Sequence, residues 1–358
     1  MKNEKEKVHL EWDCGSAYDL FASLFVLHNP DEFGLRGSWA AGVRSRLPLK
    51  ERKFLEEAQE VVRMPTTWIY RLPQPKDAQT ALTVLKNTAS ADRLKALVQP
   101  TSTTGDLHDL FQKVFTNRRW EPDDIEALRA GYSNKNQAPR PKQAAAILEW
   151  WSRPDEFGER YLEALQVYFQ VFFQEEERRL QPVIIEALEA AQVEAENKTV
   201  PALLEDLSQG VRFAWLSELK ELVLVPSFWT TPLIFFERLQ DDKGIMLFGA
   251  RPAELPLVPG DLIPEPLLRG LKALADPTRL RILRYLSEES HTPSELARKL
   301  RLRAPTVIHH LNALRLAGLV QLTLNKESER RYSIRQDAVS SACDSLKAFL
   351  GKTEDSNH

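Results

Sequence analysis

Between Arg251 and Pro266 the chain reads RPAELPLVPGDLIPEP, with prolines at 252, 256, 259, 264 and 266. Each proline fixes φ and lacks an amide hydrogen, so neither a helix nor a central strand continues through such a run. The 358 residues are therefore expected to fold as two units on either side of an extended connector. The boundaries read as 1–250, a Pro-rich linker at 251–266, a second domain at 267–350 and a polar tail at 351–358.

Composition changes across that connector. All eight tryptophans precede residue 230. The overall net charge of −3 hides an asymmetry: residues 265–336 carry 14 Lys+Arg against 7 Asp+Glu, whereas residues 1–264 carry 32 against 40. A basic module in an otherwise acidic chain points to a polyanionic partner for that module. The acidic front part should be repelled by phosphate and add nothing to such a footprint.

Other classes are excluded early. The longest apolar stretches, such as Leu222–Val225 and Leu233–Phe236, are far shorter than the roughly 18 residues of a membrane span. The start, Met1 to Lys7, mixes both charges with no apolar run behind it, so a secretory signal is not expected and a cytoplasmic location is. Cys14 and Cys343 alone make neither a disulfide framework nor a structural zinc site.

The front part reads as mostly helical with a short strand-rich end. Ser16–Leu27 and Lys50–Val62 have helical apolar spacing, and Phe157, Tyr161, Leu165, Tyr168 and Phe172 line one helix face that Leu162, Phe169 and Phe173 widen. Pro182 is expected to break or restart that helix. Glu221–Val225, Pro232–Phe236 and Gly244–Phe248 read as strands of a small sheet.

The back part holds the informative pattern. Asp276-Pro277 caps and opens one helix, and Thr292-Pro293-Ser294-Glu295 is a capping box opening the next. A third helix runs from about Ala304 to Leu316 and ends at Gly318, followed by strands at Leu319–Leu324 and Arg330–Ile334. Helix, helix-turn-helix and basic hairpin make a winged helix-turn-helix, and the chain as a whole is mainly α with small β elements (α+β). With Val307, Leu311 and Leu314 inward, the third helix turns Pro305, Thr306, His309, Asn312 and Ala313 outward, with Ile308, His310 and Arg315 on its flanks. Short donors and acceptors near a helix start suit base edges in the major groove. Arg301, Arg303 and Arg315 suit phosphates, as do Lys326, Arg330 and Arg331 on or beside the wing. Thr292 and Ser294 at the head of the second helix complete the candidate DNA-contacting set.

Leu274–Leu283, Pro305–Leu314 and Ala317–Val320 together resemble the ArsR-type transcriptional regulators over about residues 265–350. The resemblance implies a dimeric, repressor-like winged helix whose third helix enters the major groove of double-stranded DNA, with Thr306, His309 and His310 at recognition positions. Serine is frequent in that family where Ile308 stands, and a polar cap where Arg303 stands. The front part resembles, less specifically, an uncharacterised domain fused to such modules in bacterial regulators, which implies no activity. Many ArsR-type proteins sense metals, but Thr292 and Ser294 stand where paired cysteines would, and residues 337–350 contain no histidine. No metal or cofactor is expected.

Val339, Ala342, Leu346 and Phe349 form an apolar stripe beyond the wing that a small winged helix cannot cover alone. With Leu267, Leu271 and Leu274 it is expected to pack on a partner subunit, or else on the chain's own front part. The front part is expected to bind an organic effector or a protein partner and to modulate the DNA module. Two alternatives stand beside that reading: an enzyme targeted by the winged helix, or an assembly domain. Phosphate-loop, dinucleotide, zinc-protease and serine-elbow spacings are all missing, and Asp13-Cys14 has no neighbouring histidine, so no enzyme is expected.

Overall fold

The computed structural model describes residues 8–35, 37–98, 105–132, 138–252, 255, 263–324 and 330–351. The chain is mainly helical with two small sheets among these residues. The first sheet has strands β1 (His9–Trp12), β3 (Glu221–Ser227), β5 (Lys243–Gly249) and β4 (Phe235–Gln240), in that order. β1 and β5 run parallel to β3 on either side, and β4 is antiparallel to β5. A near-continuous apolar run such as Leu222-Val223-Leu224-Val225 suits a strand covered on both faces. Val223, Val225, Ile245 and Leu247 face the large helical core, and Leu222, Leu224, Met246 and Phe248 face a second core with Leu203 and Leu204.

Helix α1 (Ser16–His28) follows β1 directly and is buried along nearly its whole length. Its Asp19 carboxylate accepts from Ser227 Oγ at 2.7 Å and from the backbone amides of Trp229 at 3.0 Å and Phe228 at 3.3 Å, which ties α1 to the exit of β3. Helix α2 (Pro154–Tyr168) presents Phe157, Tyr161, Leu165 and Tyr168 to the core. The aromatic residues pack mainly on one another, with Phe157 and Tyr161 stacked at 5.4 Å and Phe54 against both.

Three expectations need correction. Pro182 does not break the helix: a π-helical turn over Phe169–Phe173 leads into α3 (Gln174–Asn197), which passes straight through it. Pro182 and Arg178 are both exposed, and the helix forgoes only the bond that a residue 182 amide would give the Arg178 carbonyl. The strand expected at Pro232–Phe236 begins only at Phe235. The front sheet is also not local, since β1 comes from the other end of the domain.

The second sheet changes the domain picture most. After helix α4 (Val200–Leu207), strand β2 (Val211–Phe213) leaves the front sheet aside and pairs in parallel with wing strand β6 (Val320–Leu324), whose other edge pairs with β7 (Arg330–Ile334). The front part thus supplies a strand to the wing, with Val211 opposite Leu322 and Phe213 opposite Leu324. The proline-rich connector is therefore not all that joins the two parts. Within it, residues 253–254 and 256–262 lie outside the described residues, and a helix has already begun at Glu265.

Candidate nucleic-acid interface

Four helices precede the wing in the back module: α5 (Glu265–Leu274), α6 (Pro277–Glu288), α7 (Pro293–Leu300) and α8 (Ala304–Leu316). Asp276 caps α6, accepting from the amides of Thr278 at 2.8 Å and Arg279 at 2.9 Å, and these bonds hold its carboxyl below the usual range. Thr292 and Glu295 form the reciprocal capping box of α7, at 3.3 and 2.8 Å. Arg301 ends α7 in the left-handed region at φ 57°, and three residues later α8 begins. Ile282, Leu286, Leu296, Val307, Leu311, Leu314, Val320 and Tyr332 close one core beneath these elements. His291 and Tyr332 exchange backbone hydrogen bonds at 2.9 and 2.8 Å, so the α6–α7 loop is stitched to the wing.

On α8, Pro305, Thr306, Ile308, His309 and Asn312 are exposed, while Ala313 is half-buried. Arg301, Arg303 and Ser294 are exposed beside them. His310 turns inward to stand 3.9 Å from Asp276, and burial holds its imidazole below the ordinary histidine range against the pull of that carboxylate. Arg315 is half-buried and sits near Tyr332 and Arg330, on the wing side and away from the exposed arc; burial lowers its guanidinium. Thr292 is buried and its hydroxyl is occupied in the capping box, so its place is structural.

On the wing, Arg330 is exposed, whereas Arg331 donates to Ser290 O at 2.9 Å and lies 3.6 Å from Glu295. Lys326 lies outside the described residues. Spacing alone does not single out Arg298, exposed in the last turn of α7 beside Arg301. Nor does it mark Arg335, which donates to Gln209 O at 3.1 Å and Gly318 O at 3.3 Å, where Gly318 closes α8 at φ 70°. Among the described residues, no three His, Cys, Asp or Glu side chains come together as metal ligands. No described helix is long and apolar enough to cross a membrane.

The stripe expected at a subunit contact divides in two. Helix α9 (Gln336–Gly351) packs on α5, with Ala342 against Gly270, and Val339 joins the winged-helix core. Leu267 is likewise buried and Leu271 and Leu346 are half-buried, so this part is covered within one chain. Phe349 and Leu350 remain open, at 37% and 63% exposure.

Residues 276–321, from the cap of α6 into the wing, match the bacterial regulatory protein arsR family. The chain carries an ArsR-family winged helix-turn-helix domain. An uncharacterised helix-turn-helix-type transcriptional regulator of Methanocaldococcus jannaschii is 45% identical over 51 residues, which are 14% of this chain and 57% of that protein. The crystal structure of NolR from Sinorhizobium fredii is matched at 31% identity over 27% of this chain and 97% of that one, with a TM-score of 0.21. The family match covers residues 276–321, and the part of the chain before it meets this domain through the pairing of β2 with β6.

Proposed function

We propose that the protein is a sequence-specific regulator of transcription that binds double-stranded DNA through α8 as a homodimer, with residues 1–250 modulating that binding. The observation that carries the reading is α8 itself: Pro305, Thr306, Ile308, His309 and Asn312 are exposed together, and the thirteen residues contain no Asp or Glu. A helix entering the groove between phosphate rows needs polar tips for base edges and no carboxylate to be repelled. Arg301, Arg303 and Arg330 lie beside that arc and on the wing as phosphate contacts. Ile308 in the arc favours an apolar contact such as a thymine methyl group.

The dimer is supported by the last turn of α9, where Phe349 and Leu350 are large apolar residues exposed at the surface. A two-fold dimer reads an inverted repeat with half-sites roughly 10 bp apart, centre to centre, or a multiple of that spacing.

Selection of bound duplexes from a random pool tests the reading. It should yield an inverted repeat; His309→Ala and Asn312→Ala should change the selected sequence, and Arg330→Ala should weaken all sequences and reduce the salt slope by about one. A protein that enriches no sequence and shows no salt-sensitive binding is not a DNA regulator.

A further inference from the structure

Where the front part meets the winged helix there is a cavity of about 250 Å³. Arg251, just after β5, reaches it from the front part; Glu265 and Arg269 reach it from the first turns of α5; Leu316 and Ala317 close it from the end of α8. The two arginine side chains are only 4% and 12% exposed, yet they share one carboxylate. Glu265 lies 2.9 Å from Arg251 Nη1 and 3.9 Å from Arg269 Nη1.

Their remaining contacts are poor. Arg251 Nη2 reaches Thr231 O at 3.5 Å and Arg269 Nη1 reaches Phe33 O at 3.5 Å, while Arg269 Nε is buried without an acceptor among the described residues. Two guanidinium groups present about ten N–H donors between them, more than these contacts with the described residues engage. Burial draws both below their ordinary range, Arg251 to about 10, although Glu265 supports the charge of each; Arg269 opposes that of Arg251 less than Glu265 supports it. Arg179, a further cation whose charge opposes that of Arg251, is already paired with Glu176 at 2.6 Å. Such a cluster is costly unless an anion completes it.

We propose that this cavity binds a small organic monocarboxylate whose carboxyl group is held between Arg251 and Arg269. The charge count sets the ligand's charge: two guanidinium groups less one carboxylate leave a single positive charge to be met. A phosphate dianion would overshoot it. The planar guanidinium fork matches a carboxylate. The walls set the ligand's body: Pro232, Leu255, Pro266 and Leu316 are apolar, so the rest of the molecule is apolar too. At roughly 30 Å³ per water the space equals about eight waters, which fits a metabolite and not a large drug-like molecule. A ligand there touches β5's exit, α5 and the end of α8 at once, which deepens the reading of residues 1–250 as modulators of DNA binding and rests on that reading for its consequence.

Calorimetric titration of the full chain tests occupancy without DNA. The probes are butyrate, hexanoate, benzoate and phenylacetate, with neutral benzamide and inorganic phosphate as controls. At least one monocarboxylate should bind once per chain and benzamide should not. Arg269→Gln should weaken that binding tenfold or more. Glu265→Gln, which removes the competing internal carboxylate, should tighten it about tenfold, a gain that a purely structural Arg–Glu clamp would not give. Should Arg269→Gln fail to fold, the Glu265→Gln result decides alone. Binding of none of the acids, binding of phosphate alone, or indifference to both substitutions overturns the site. A separate titration of selected DNA with the bound acid present tests the regulatory reading: unchanged DNA affinity overturns that reading and leaves the site standing.

Discussion

Asp19 is enclosed completely, and its three hydrogen bonds only partly offset the loss of water, so burial pushes its carboxyl up to about 6. The folded chain therefore holds this proton more tightly than the unfolded one. Asp19's contribution to stability is fully present below about pH 4 and is lost as pH rises through 6. Relative to Asp19→Asn, which does not titrate, the parent should gain on the order of 1 kcal/mol between pH 7.5 and pH 5 in denaturant unfolding. A difference that stays flat with pH would show that the carboxylate is not desolvated as described. Thr292→Ala is expected to behave in the opposite way to His309→Ala. Losing the cap of α7 should cost about 1 kcal/mol while the selected DNA sequence stays the same, whereas His309→Ala should alter the sequence at little cost in stability. Duplex selection and thermal unfolding of both variants separate the two roles. The caps at Asp276 and Thr292 were legible in the sequence because each bond closes within three residues. The inward turn of His310 and the tucking of Arg315 were not, since they depend on packing against α6 and the wing.

Among the elements, the helix-turn-helix could be read from periodicity and capping because it is built from local signals, and β6 and β7 because they form one hairpin. β1 and β2 could not. They are four and three residues long, and each pairs with a strand more than a hundred positions away, as Trp12 does with Leu224 and Val211 with Leu322. Short strands with distant partners leave no periodic trace. Pro182 misleads for a related reason: proline's effect depends on its surroundings in the fold, and here it lies on an exposed part of the helix. The β2–β6 junction gives its own prediction. Arg335 bonds Gln209 of the front part, 126 positions away, and Gly318 of the winged helix. Arg335→Ala should cost about 1.5–3 kcal/mol, the range for a hydrogen bond to a charged group. The loss should appear as faster amide exchange at residues 211–213 before any change within α8. Equal acceleration throughout α6–α8 would mean that Arg335 supports the winged helix alone.

At the scale of the molecule, subunit association should reside in the open end of α9 and not in its covered first half. Replacing Phe349 and Leu350 together by Asp should convert a dimer to a monomer in sedimentation, with thermal unfolding of the monomer nearly unchanged because neither side chain belongs to the core. A parent protein that sediments as a monomer at micromolar concentration, with and without DNA, would remove the dimer from the proposal.

The parallel pairing of β2 with β6 has a further consequence. A sheet edge with free amides and carbonyls is a template on which any other extended chain can grow. In this protein β7 occupies one side of β6, and the front part occupies the other from Leu322 to Leu324. A gene fragment encoding only the ArsR-family domain would uncover Leu322 to Leu324 on one flank of β6, an uncharged strand that is mostly apolar and β-prone. Such a fragment should precipitate or swap strands where the intact chain does not, so the large acidic half guards the wing against self-association.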